Sequence, residues 1–173
     1  LALGYRTVVM PMYDASAGLP DLHWRLSRDA MFVCFSAALH TKLTTLGCRS
    51  VYAKYFPNPQ ESERVTDFTT LRAFLWQRRP QEINVDLIDR LLGDSHHSLH
   101  VHNAPDYGRP PEPNFKVGFG RCKVTTSKWA ETREEYFARL DECNVYVAPR
   151  MAEGSGRGFL EAMARGMVVI AND

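Results

Sequence analysis

Short apolar runs alternate with amphipathic segments along the chain, in two blocks that flank a polar stretch. In the first block, Thr7-Val8-Val9-Met10-Pro11-Met12 is an apolar run broken by proline, the pattern of a buried strand. Residues 14–21, with Gly18 and Pro20, read as a loop, and residues 29–35 as a second strand. Ser36 is placed to cap a helix running to Leu46, with Gly47 as its stop. A third strand over 50–55 is closed by Phe56-Pro57-Asn58-Pro59. The second block opens with a strand over 71–77 and a helix over 84–92, where Val85, Ile88, Leu91 and Leu92 keep helical spacing up to Gly93. A strand over 98–102, a proline- and glycine-rich loop over 104–113 and a short strand over 123–126 follow. The pattern then predicts a helix over 134–141, a strand over 144–148, a loop over 149–155 leading into a helix, and a last strand over 167–171. On the helix after 155, Phe159, Leu160, Met163 and Ala164 share one face and are expected to bury against a sheet, with Glu161 turned away from it.

Such alternation predicts an α/β protein built on a Rossmann-like parallel sheet with helices on both faces. The polar segment 57–66 reads as a linker between the two blocks. Composition agrees with a globular protein: of 173 residues 45% are hydrophobic, 24% charged and 11% aromatic, which excludes disordered and fibrous classes. Lys and Arg total 21 against 20 Asp and Glu, a net charge of +1 that gives no whole-chain reason to expect nucleic acid or an acidic membrane. No apolar run reaches the roughly 18 to 20 residues needed to span a bilayer, and no signal-peptide pattern opens the chain. Cys34, Cys48, Cys122 and Cys143 are scattered, which points to reduced thiols in a cytoplasmic protein rather than a disulfide framework. The chain starts without Met and stops straight after an apolar run, so a fragment of a longer protein is expected.

The densest chemistry lies in Glu153-Gly154-Ser155-Gly156-Arg157-Gly158-Phe159-Leu160-Glu161-Ala162-Met163. Its glycines let the backbone approach a ligand closely with N–H groups outward. The helix start that follows adds a positive dipole end and unpaired donors, a combination suited to phosphate or pyrophosphate. This turn follows a strand's carboxyl end, where open parallel sheets bind ligands. Glu153 on the loop and Glu161 about one turn into the helix both border that crevice, placed to accept hydrogen bonds from paired sugar or ribose hydroxyls. The same glycines also suit an ordinary strand-to-helix turn, and an early helical acid also suits a dipole partner. Arg157 has two readings, a phosphate contact or a pair with Glu161 at four-residue spacing.

Residues 149–171 resemble the nucleotide-sugar-binding segment of retaining glycosyltransferases with the GT-B fold, especially family 4 and its relatives. Their signature is a pair of glutamates with seven residues between, P-S-x-x-E-G-x-G-x-x-x-x-E-A-M-A-x-G-x-P-V-I-A. Glu153, Gly154, Gly156, Glu161-Ala162-Met163-Ala164 and Gly166 fall in register, while Arg150 replaces the usual serine and Val168 stands where proline is common. Upstream, Tyr136-Phe137-Ala138-Arg139-Leu140 and Val145-Tyr146-Val147 match the helix and strand before the motif. The resemblance implies Glu161 on the ribose hydroxyls, Glu153 on the donor sugar, and the amides of Gly154, Ser155 and Gly156 at the diphosphate. It also implies a basic pair after the domain's first strand. Arg78 aligns with the family's arginine, and Arg79 stands in for a lysine that is absent near Ile83-Asn84.

By the same resemblance the chain comprises the end of an acceptor-side domain over 1–56, the linker, and a truncated donor-binding domain over 67–173. The implied activity is hexosyl transfer from a nucleotide diphosphate sugar to a hydroxyl of a saccharide, lipid or other acceptor, as in carbohydrate biosynthesis. Configuration is retained, without protein nucleophile, cofactor or metal, and peripheral membrane contact suits the full-length protein. The fragment alone is expected to be weak or inactive. A nucleotide-binding or interaction module without transfer chemistry is the alternative, favoured by the truncation and the absent lysine.

Other constellations carry less. His100 and His102 would share one strand face in His96-His97-Ser98-Leu99-His100-Val101-His102, but no carboxylate or cysteine lies close enough in sequence to complete a metal set. Cys122 and Cys143 have no histidine at catalytic spacing. Lys116, Arg121, Lys123 and Lys128, with Phe119 and Trp129, form a basic stretch too sparse for nucleic acid and better suited to a solvated face.

Overall fold

The computed structural model describes residues 6–54, 56–59, 64–93, 96–105, 122–151 and 153–172. Tyr55, part of the polar linker (60–63), the loop beyond residue 105, Lys116, Phe119 and Arg121 lie outside the described residues. The chain divides into two compact units, Leu1–Phe56 with Ala152–Gly156, and Pro57–Met151 with Arg157–Asp173.

The first unit runs β1 (Val8–Val9), α1 (Tyr13–Ser16), α2 (Asp21–Leu26), β2 (Met31–Cys34), α3 (Ala37–Thr45) and β3 (Arg49–Tyr52). Its strands pair in parallel in the order β1-β2-β3. Alternation along β2 turns Phe32 and Cys34 into a core with Trp24, Leu39 and Leu43. The expected strand over 7–12 shortens to Val8–Val9, leaving Met10 and Met12 exposed around Pro11, which has no N–H for a ladder. The expected loop over 14–21 instead contains α1 and the start of α2. Helices of four and six residues carry too few turns to register as a periodic pattern. They are held by burial of Trp24, edge-on to Phe32 at 5.8 Å, and by the Ser16 hydroxyl donating to the Met12 carbonyl at 2.5 Å. Ser36 caps α3 as its position predicts, accepting from the Leu39 N–H.

The second unit runs β4 (Leu71–Trp76), α4 (Val85–Leu92), β5 (His96–His102), β6 (Lys123–Ser127), α5 (Arg133–Asp141), β7 (Val145–Val147), α6 (Arg157–Ala164) and β8 (Val168–Ile170). The five strands are parallel, in the order β6-β5-β4-β7-β8. β4 is central, and its two-residue period divides the core. Ala73 and Leu75 pack with Val85 and Ile88 of α4, while Phe74 packs with Leu140 of α5, Tyr146, and Ala162 of α6. Helices therefore cover both faces of the sheet, and the fold is Rossmann-like α/β. Side-chain caps start α4 and α5: Asn84 accepts from the Leu87 N–H at 2.9 Å and Thr132 from the Glu135 N–H at 3.2 Å.

From β4 the chain steps outward to β5 and β6, then crosses back to β7 and continues to β8. The direction reverses between β4 and β7, the place where open α/β sheets hold ligands outside the strands' carboxyl ends. All four cysteines are free thiols, and burial pushes Cys143 up to about 12, too high to ionise near neutrality. Among the described residues no helix is long and apolar enough to cross a membrane.

Candidate functional site

At the reversal point, two loops leave the adjacent ends of β4 and β7. β4 runs into Gln77, whose N–H donates to the His102 carbonyl at 2.9 Å, and then into Arg78 and Arg79. The Arg78 guanidinium lies 5.1 Å from the centre of the Trp76 ring, in cation–π range. Arg79 donates to Glu82 Oε1 at 2.9 Å, and Glu82 Oε2 accepts from the Met151 N–H at 3.1 Å. One carboxylate thus joins the loop after β4 to the loop after β7. Burial drives the Glu82 carboxyl upward, but the Arg79 guanidinium, the Met151 N–H and the nearby Arg150 charge outweigh it, and the group settles below the usual range. Arg150, which in the sequence is only a replacement for serine, is buried at this junction.

The glycine turn serves packing as well as flexibility. Residues 152–156 group with the first unit, where a Cβ on Gly154 would collide with Met12 and come within 2.8 Å of Asp14 Oδ1. Gly156 has φ 64°, a conformation that L side chains rarely adopt. A Cβ on Gly158 would lie 2.5 Å from the Tyr146 hydroxyl oxygen. Glu153 and Ser155 are half-buried.

The expected orientation of α6 needs correction. Glu161, Ala162 and, just past the helix, Arg165 are buried, whereas Met163 is 57% exposed. Glu161 occupies the buried side because two guanidiniums meet its charge there. Arg157 Nε donates to Oε1 at 3.0 Å and an Arg133 Nη2 to the same oxygen at 3.3 Å. Of the two readings of Arg157, the structure shows the pair with Glu161. Arg165 supports the helix from below. It donates to Asp141 Oδ1 at 2.6 Å and to the Glu161 carbonyl at 3.3 Å, and its guanidinium lies 3.9 Å from the Phe137 ring centre.

Beside this helix pair, the ends of β5 and β6 and the first turns of α5 enclose a pocket of about 450 Å³, lined by His102, Ser127, Lys128, Trp129, Tyr136 and Arg139 among others. Trp129 is 69% exposed and its ring centre lies 6.2 Å from that of Trp76. His100 and His102 do share one face of β5, as the alternation predicts. The Ser127 hydroxyl is within 2.8 Å of both His100 Nε2 and His102 Nδ1, and Thr125 Oγ1 lies 2.9 Å from His100 Nδ1. Burial, then the neighbouring His100, takes His102 down to about 4, and burial takes His100 down in the same direction, so both rings are neutral at pH 7. Among the described residues no three His, Cys, Asp or Glu side chains gather in a set that could hold a metal ion.

The arrangement brings Arg157 and Glu161 together, adds Arg133, and separately gathers Arg79, Glu82 and Arg150 at the reversal point. Sequence reasoning does not single out Arg133. Its signal there is a cation at the start of a helix, the end where the helix dipole disfavours positive charge. No family model, curated protein or solved structure matches the chain.

Proposed function

We propose that this chain is the nucleotide-sugar-binding part of a retaining glycosyltransferase with GT-B architecture. The observation that carries the reading is the Glu153–Glu161 glycine motif on a strand–turn–helix that leaves β7, a strand beside the sheet's reversal point. Two further features support it. The buried Glu161 carboxylate suits acceptance of vicinal ribose hydroxyls, and the aromatic-walled pocket at the ends of β5 and β6 suits a planar base.

In this reading the acceptor hydroxyl oxygen bonds to the anomeric carbon as the bond from that carbon to the diphosphate oxygen breaks. The hydroxyl proton passes to the departing diphosphate, which needs no protein base or nucleophile. The amides of Gly154, Ser155 and Gly156 and the start of α6 stabilise charge growing on the diphosphate, and fixed dipoles of this kind are the strongest aid such a site gives to the reaction. Arg78 adds a cation at the end of β4. Glu153 contacts the donor sugar. The donor is a nucleotide diphosphate sugar and the acceptor a hydroxyl compound, with no cofactor.

Arg79 is engaged by Glu82, and no lysine stands near Ile83-Asn84, which favours a second reading: a nucleotide-binding module without transfer chemistry. Titration calorimetry with UDP, GDP and ADP tests both. Binding of one of them, weakened tenfold or more by Glu161→Ala (the size of a lost charge-assisted hydrogen bond), is the expected result. Glu153→Ala should leave free nucleotide unaffected and lose the preference for the sugar-bearing form. Absence of binding by all three nucleotides rejects both readings. Hydroxyl-acceptor-dependent release of nucleoside diphosphate from the sugar nucleotide, by the full-length protein, separates transfer from binding alone.

A further inference from the structure

We propose that Arg133 is a positioning residue for Glu161, holding one carboxylate oxygen so that the other is presented to the ligand's hydroxyls. The inference rests on the assignment of Glu161 to the ribose.

Glu161 has a side chain only 7% exposed, a depth at which an unpaired carboxylate is strongly disfavoured. Both guanidiniums that compensate it converge on Oε1, and no donor among the described residues takes Oε2. The division leaves one oxygen saturated and the other available to accept. The two arginines are not equivalent. Arg157 lies on α6 four residues before Glu161, so its hold fixes the carboxylate only relative to its own helix. Arg133 reaches from α5 and fixes the carboxylate relative to a second element.

Arg133 also stands where local physics disfavours it. It is the first residue of α5, followed by Glu134 and Glu135, at the positive end of the helix dipole. A cation at that place needs a compensating partner, and Glu161 supplies it, together with the face of Phe137 at 4.7 Å from the guanidinium carbon. With its side chain 55% exposed, Arg133 is bound by little other than these contacts. If Arg157 turns toward a bound diphosphate, Arg133 is the guanidinium that stays on Oε1.

The test measures affinity for a ribonucleoside diphosphate and for its 2′,3′-dideoxy analogue, on the unmodified chain, Arg133→Gln and Arg133→Lys. The unmodified chain should prefer the ribose form by about tenfold or more, the worth of hydroxyl bonds to a charged acceptor. In Arg133→Gln that ratio should fall toward one, with dideoxy affinity changed by less than about threefold, and Arg133→Lys should recover part of the ratio. A ratio unchanged in Arg133→Gln overturns the proposal. So does an equal loss for both ligands, which is what a purely structural role gives. A ribose preference missing already in the unmodified chain removes the role of Glu161, and the role of Arg133 with it.

Discussion

Asn144 is fully buried and spends its whole amide on one junction of the second unit. Its Nδ2 donates to the carbonyls of Asp67 and Thr70 at 3.0 and 2.7 Å, and its Oδ1 accepts from the Arg72 N–H at 2.8 Å. The turn before β4 is thereby tied to the start of β7. Asn144→Ala removes three hydrogen bonds from this junction and should cost about 2–4 kcal/mol, read as a lower urea midpoint at unchanged slope. Asn144→Asp should be at least as damaging, because a carboxylate cannot donate to two carbonyls. His102 sets a pH dependence of the opposite chemical kind. Its pKa falls from 6.5 in the unfolded chain to about 4 in the fold, so on acidification the unfolded state takes the proton first. Stability is full above pH 6.5 and declines as pH drops toward 4, by about 3 kcal/mol for this ring alone. His100 adds in the same direction. Thermal melts of the unmodified chain and His102→Gln across that range check it, since the variant should lose much of the slope.

Among the elements, α6 shows how a wheel can mislead. Its apolar residues are enough to predict a helix, but not its rotation, because the second partner of Glu161, Arg133, lies outside the local pattern. Arg133 is 28 residues away in the chain. The helix α3 is legible from its Ser36 cap and Gly47 stop, and α4 from the helical spacing of Val85, Ile88, Leu91 and Leu92 up to Gly93. By contrast α1 and α2 leave no such trace, since tertiary burial of Trp24 rather than periodicity holds them. Gly158 gives a test of what shapes α6. In an exposed helix, alanine would stabilise by about 1 kcal/mol over glycine. Here the new methyl would meet the buried Tyr146 hydroxyl at 2.5 Å, so Gly158→Ala should destabilise by about 1–3 kcal/mol. A rise in melting temperature instead would show that the tyrosine yields.

At the scale of the whole molecule, strand–helix alternation makes the parallel α/β class legible, while the order β6-β5-β4-β7-β8 depends on pairings between distant strands that no local window contains. The glycine–glutamate motif is legible for the same reason as the capped helices, since its residues are contiguous. The pocket at the ends of β5 and β6 is not, because His102, Trp129 and Tyr136 meet only after the sheet forms. If the proposed nucleoside diphosphate binds the native state alone, a ligand concentration about one hundred times its Kd should add about 2.7 kcal/mol to stability and raise the melting temperature accordingly. An unchanged melt at that concentration would mean that the unfolded chain binds as well or that there is no site. The bridge from Arg79 through Glu82 to the Met151 amide has a consequence for any such visitor. The loops after β4 and β7 already share a carboxylate that grips a cation and a backbone donor at once, so a phosphate drawn to those two groups would enter by exchange, displacing an occupant rather than filling an empty seat.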